Sequence, residues 1–247
     1  MSSTEDEQKP ERKTFIPLEN NPEVFSHLVH KLGVSPSLGF YDVYSIDDAS
    51  LLAFIPRPAH ALLFICPSAV YHRSRATEPA EAPYAGRGPT EPVIWFKQTI
   101  GHACGLIGVL HAVANGAARR DYVAAGSVLD ALLAAAVPLG VEERARLLHD
   151  SEALERAHAE AARLGDTAAP RPEEPNFHHY ICFVKGDDGG LWELEGGWTG
   201  PIRRGELEEG EDVLSEKALD MSVRPFLKHA GEGNLDFSIV ALAPSLD

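Results

Sequence analysis

The chemistry-bearing stretch of this chain is WFKQTIGHACGLIGVLHAVANG, Trp95 to Gly116. A strand-like end (Ile94, Trp95, Phe96) runs through a small-residue turn, and Cys104 then stands at the mouth of an apolar helix. A thiol attacks a carbonyl only as the thiolate, and a helix N-terminus favours that anion with unpaired N–H groups and partial positive charge. Gly101 and Gly105 let the backbone turn and a substrate come close. Gln98, six positions upstream, can offer a side-chain N–H to an oxyanion beside the Cys104 backbone N–H. These parts suit nucleophilic catalysis. A lone cysteine in an apolar helix is, however, more often plain core, and local physics alone favours core. Cys66 and Cys182 fit that plain reading, since both lie in apolar strand-like runs where a reduced thiol acts as a small hydrophobe.

A nucleophile needs a base. His178 and His179 are adjacent on a strand, so their side chains point to opposite faces and at most one meets Cys104. Pairing Val184 with Leu191 across a Gly/Asp turn (185–190) sets His179 opposite Gly196, one step from Glu195. A carboxylate there fixes the imidazole tautomer and stabilises the imidazolium. Glu193 shares the strand face of Glu195, so the acidic partner is not unique. The alternative is that both histidines are ordinary solvated or hydrogen-bonded strand residues.

The elements that must position these groups can be read from hydropathy patterning. FIPLENNPEVFSHLVHKLGV opens a helix with Pro22 in its first turn and Val24, Leu28 and Leu32 at spacing four. FYDVYSI (40–46) is a strand, followed by a short acidic helix at 47–54 and a doubly buried strand, ALLFICP, at 61–67. Residues 68–91, rich in Pro, Gly and Ala, read as a surface loop. Helices follow at about 127–137, with Ser127 and Asp130 as a capping box, and at about 141–163. A hairpin (179–184, 191–195), an acidic helix at about 206–220 and a last strand at 237–242 complete the chain. The fold class is mixed α/β (α+β): a central, mostly antiparallel sheet flanked by helices in one domain.

The bulk numbers agree with a soluble globular domain: 247 residues, 44% hydrophobic and 24% charged. No window has the ~18 apolar residues of a membrane span, and the charged N-terminus (1–14) reads as a disordered tail rather than a secretory signal. Three cysteines with no CxxC and no zinc-ligand spacing predict no metal, no cofactor and a reducing compartment, cytoplasm or nucleus. A net charge of −15 argues against nucleic acid and for a basic partner. The chain is expected to be a monomer.

KQTIGHACGLIGVLHAVAN closely resembles the active-site signature of the ubiquitin C-terminal hydrolases (UCH), a papain-like family of cysteine deubiquitinases. FIPLENNPEVFSHLVHKLGV, FYDVYSID, FIPRPAHALLFICP, NFHHYICFV, LWELEG and LDFSIVALA resemble family landmarks in family order. The resemblance covers about residues 15–243 and implies a single UCH catalytic domain (15–247) with a knotted backbone. It implies Cys104 as nucleophile, Gln98 as oxyanion donor, His179 (from HYICFV) as general base and acid, and Glu195 as the residue orienting it. It places Pro17, Leu18, Glu19, Glu23 and Asp42 where family members touch ubiquitin and its tail; read alone, the acidic ones are a solvated surface.

Two departures stand out. Glu195 replaces the family's usual Asp, one methylene shorter, after a turn that is one residue longer. His102 replaces Asn two residues before the cysteine, either as a tolerated change or as an imidazole that alters the thiol pKa. The segment at about 158–176 corresponds to the family's crossover loop, which would exclude bulky folded leaving groups. The activity implied is thiol-dependent hydrolysis after the C-terminal glycine of ubiquitin, releasing small or unfolded adducts. The alternatives are a catalytically impaired ubiquitin-binding pseudoenzyme and a hydrolase of another ubiquitin-like modifier.

Overall fold

The structure is a computed structural model describing residues 13–79, 82–166, 178–231 and 236–246. In chain order the elements are α1 (Pro22–Leu32), β1 (Leu38–Asp42), α2 (Ala49–Leu52), β2 (Ala61–Pro67), α3 (Ser68–Arg75), α4 (Cys104–Val113), α5 (Gly116–Tyr122), α6 (Val128–Ala136), α7 (Val141–His149) and α8 (Glu152–Ala161). They continue with β3 (His178–Lys185), β4 (Gly190–Leu194), β5 (Ile202–Glu206), α9 (Glu216–Met221), α10 (Val223–Leu227) and β6 (Ser238–Pro244). Among the described residues no helix is long and apolar enough to cross a membrane.

Among the described residues six strands form one sheet in the order β1-β6-β2-β3-β4-β5, every pair antiparallel. Alternation along β3 sorts the interior into two cores. Tyr180, Cys182 and Val184 face a cluster with α1 and α4, while Ile181 and Phe183 face a cluster with α3, α9 and α10. β2 is buried at Ala61 through Cys66 because both of its faces are covered. α4, buried from Gly105 to Val113, lies between the sheet and the surrounding helices. Gly108 permits its close approach, since a Cβ there would stand 3.2 Å from Leu63.

Local signals account for several boundaries. Asn21 caps α1 by accepting from the Glu23 N–H at 2.8 Å, Pro22 occupies the first turn, and Gly33 ends the helix at φ 105. Ser127 caps α6 through the Asp130 N–H at 3.1 Å, but Asp130 returns to the Gly126 N–H rather than to Ser127.

Other expectations are corrected. Residues 68–75 of the expected loop are α3, whose buried face carries Val70, Tyr71, Ser74 and Arg75. The single helix expected over 141–163 is two, because Ser151 caps a new helix through the Leu154 N–H at 3.3 Å. Glu206 ends β5, a strand the sequence did not suggest, and α9 starts ten residues later. The run Ile94–Phe96 pairs with no strand among the described residues. Of the expected crossover segment, His158–Ala161 are the last turn of α8 and 167–176 lie outside the described residues. Lys13 and Thr14, expected in the tail, belong to the fold: Thr14 bridges Gly101, and the Gly101 N–H donates to Lys13 O at 2.8 Å.

Candidate active site

The segment before Cys104 is held by α4 and by the loop after β4 together. Asn115 and His111, both buried, satisfy the backbone of Ile94 and Phe96; the Phe96 N–H donates to His111 Nε2 at 2.9 Å. Trp95 Nε1 donates to Glu195 O at 3.1 Å, and the Gln98 N–H donates to Gly196 O at 2.8 Å. The chain positions of Gln98 and Glu195 are thereby tied to each other.

His102 has φ 55, a left-handed backbone in which His, Asn and Asp are enriched among L residues. The Asn that the family resemblance sets at this place is enriched in the same backbone. Both tolerate the conformation that swings the chain into α4, which begins at Cys104.

Cys104, Gln98, His179 and Glu195 line one cleft of about 390 Å³ together with Thr14, His102 and His178. Cys104 is half-buried, and burial pushes its thiol up to about 11 against the pull of the Gly105 and Cys104 N–H groups. Burial, with Arg75 and the neighbouring His72 and His178, depresses His179 to about 4. At neutral pH the free site therefore holds a neutral thiol and a neutral imidazole. Gln98 Nε2 donates to Ile100 O at 3.2 Å, which uses one of the two hydrogens of that amide.

The hairpin register differs from the expected one by a residue: Val184 pairs with Trp192 and Lys185 with Leu191. In it, Glu193 is consumed by a buried ionic cluster, accepting from Arg75 on one oxygen and from Arg204 on the other at 2.7 Å. Glu195 lies beyond β4 in the cleft. Its Oε2 accepts from Tyr71 Oη at 2.7 Å and its Oε1 from the Gly197 N–H at 2.9 Å. Burial raises the Glu195 carboxyl while these two donors pull it down. His178 instead pairs with Asp236 at 2.9 Å.

His179 sits opposite Cys66 of β2, on the sheet face covered by α3, whereas α4 packs on the face of Tyr180. Nucleophile and imidazole thus approach from opposite sides of the sheet and share the cleft at the start of β3. Among the described residues no cluster of three or more His, Cys, Asp or Glu side chains could hold a metal ion.

The profile described as ubiquitin carboxyl-terminal hydrolase, family 1, matches residues 15–227. The chain belongs to this family. Among its relatives, the ubiquitin carboxyl-terminal hydrolase YUH1 of Saccharomyces cerevisiae is 28% identical over 242 residues, covering 95% of this chain and 98% of the yeast protein. The ubiquitin carboxyl-terminal hydrolase of Aplysia californica is 35% identical over 208 residues, covering 82% of this chain and 94% of its own. Isozyme L1 of Rattus norvegicus is 34% identical, covering 92% and 96%. The fold is similar to the crystal structure of the Trichinella spiralis UCH37 catalytic domain bound to ubiquitin vinyl methyl ester: TM-score 0.73, 18% identity, 94% of this chain and 96% of that one.

Of the positions that the resemblance assigns to ubiquitin contact, Glu23 is exposed, and Pro17, Glu19 and Asp42 are half-buried. The Leu18 side chain is buried, with its Cβ 3.4 Å from where a Gly105 Cβ would stand, and Leu18 O accepts from Tyr180 Oη at 3.1 Å. Sequence reasoning missed Tyr71 and Arg75 because their helix was hidden in the expected loop. The basic run His72, Arg73, Arg75 in its last turn was the available signal.

Proposed function

We propose that this chain is a cysteine-type ubiquitin hydrolase in which Cys104 is the nucleophile, His179 the general base and acid, Glu195 the carboxylate that orients His179, and Gln98 an oxyanion donor. The observation that carries the assignment is the convergence of these four side chains on one cleft at the start of α4, in a member of family 1. With the C-terminal glycine of ubiquitin in the cleft, His179 takes the Cys104 proton as sulfur attacks the glycine carbonyl. The Cys104 N–H and Gln98 amide stabilise the oxyanion. His179 then gives its proton to the departing amine, and water, deprotonated by His179, splits the thioester.

Pro17, Leu18, Glu19, Glu23 and Asp42 form the ubiquitin-facing side in this reading, and the acidic surface suits ubiquitin's arginine-containing tail. The chain after α8, in the place of the family's crossover loop, restricts leaving groups to small or unfolded ones in this reading.

The test is hydrolysis of a fluorogenic amide at the C-terminus of ubiquitin, with amides of other ubiquitin-like modifiers alongside. Turnover by the wild type, abolished in Cys104→Ala and His179→Ala and fastest on ubiquitin, is the expected result. Tight ubiquitin binding without turnover would overturn it.

A further inference from the structure

Tyr71 touches two members of the triad at once. Its ring is stacked on His179, with centroids 4.1 Å apart and planes 10° from parallel. Its hydroxyl donates to Glu195 Oε2 at 2.7 Å. The residue is 5% exposed. From the α3 side, Arg75 lies 4.8 Å from the centroid of the same ring and is held in turn by buried Glu193.

We propose that Tyr71 is a positioning residue of the triad, its ring seating the His179 imidazole and its hydroxyl fixing the longer Glu195 side chain; this rests on the roles given to His179 and Glu195 above. Glutamate has one more rotatable bond than the aspartate usual at this place, and each free rotor blurs the geometry a general base needs. Tyr71 on one oxygen and the Gly197 N–H on the other remove that freedom. The hydroxyl also favours the ionised carboxylate, the form that stabilises an imidazolium. The aromatic face does the same for the cation formed on His179 during turnover.

The charged and titratable groups around the pair are His72 and Arg75 from α3, Cys66 from β2, His178 from β3, Glu193 from β4 and Cys104 from α4. His72, Arg75 and His178 disfavour a positive imidazole. The Tyr71 ring face, stacked on the imidazole, works against that disfavour.

The test is the pH profile of kcat and kcat/KM on the ubiquitin amide for wild type, Tyr71→Phe, Glu195→Gln and the double variant, with His179→Ala as control and urea midpoints for each. Tyr71→Phe keeps the stacked ring. It should lower kcat by roughly 3- to 10-fold with KM unchanged and move the acid limb of kcat/KM to higher pH, because Glu195 then holds a proton more readily. The double variant should be no slower than Glu195→Gln alone. A Tyr71→Phe profile superimposable on wild type, or losses that multiply in the double variant, would overturn the proposal. Undiminished turnover in His179→Ala would instead overturn the triad reading beneath it.

Discussion

Asn115 and Ile94 exchange a reciprocal pair of hydrogen bonds: the Ile94 N–H donates to Asn115 Oδ1 at 2.7 Å, and Asn115 Nδ2 donates to Ile94 O at 3.1 Å. The side-chain amide does for Ile94 what a neighbouring strand would, and this lets the chain run extended through the core toward Gln98 without joining the sheet. Asn115→Ala leaves two buried backbone groups unpaired and should cost about 2–4 kcal/mol in urea unfolding. An unchanged urea midpoint would show that water or a shifted side chain replaces the amide.

His102 is held at φ 55 next to the nucleophile. His102→Asn should unfold within about 0.5 kcal/mol of wild type, while His102→Val, branched at Cβ, should lose about 1–2 kcal/mol and turn over more slowly. Equal stability of the two variants would mean that the left-handed backbone imposes no demand on this residue.

The Cys104 thiol is pushed up to about 11 and His179 down to about 4, so the free enzyme holds little thiolate at pH 7. Its alkylation by iodoacetamide, read by mass spectrometry at Cys104, should be slower than that of a free thiol at pH 7 and climb steadily past pH 9. A fast plateau reaching down to pH 5 would reveal a preformed thiolate–imidazolium pair instead.

Buried His111 accepts the Phe96 N–H and is depressed to about 3 by burial. Its folded pKa lies below the unfolded value of 6.5, so the unfolded chain binds the proton more readily. The contribution is present in full above pH 6.5 and drains as pH falls toward 3, at about 1.4 kcal/mol per pH unit. His60 and His158 shift in the same direction, again mainly by burial, and steepen the loss. Urea midpoints should therefore fall between pH 7 and pH 5, less steeply in His111→Gln. A flat wild-type profile over that range would contradict the prediction.

What could be read from the chain and what could not follow a physical division. The strand 61–67 and the starts of α1, α4 and α6 carry their causes locally, in apolar runs, a helix-starting proline and a serine cap. Gathering Gln98, Cys104, His179 and Glu195 required the family resemblance, since nothing local relates the start of α4 to the start of β3 or the end of β4. The register missed by one because the hairpin closes on Gly186 and Gly190, whose N–H···O bond is 2.9 Å, with Gly189 left-handed at φ 77 between them. A three-residue loop has that offset, which a count of apolar positions does not reveal. α3 was hidden for a different reason. Its eight residues are mostly polar and their burial comes from partners distant in sequence, Glu193 and Phe226 among them.

The place of β6 between β1 and β2 has a consequence for biosynthesis. The strand translated last of the six is the one that joins the first two. While the nascent chain emerges, β1 and β2 each present an unpaired edge, and the sheet cannot close until β6 has left the ribosome. A ribosome that stalls or terminates before residue 238 would release a chain with two open edges and a complete Cys104 segment, a substrate for chaperones or aggregation rather than a slower enzyme.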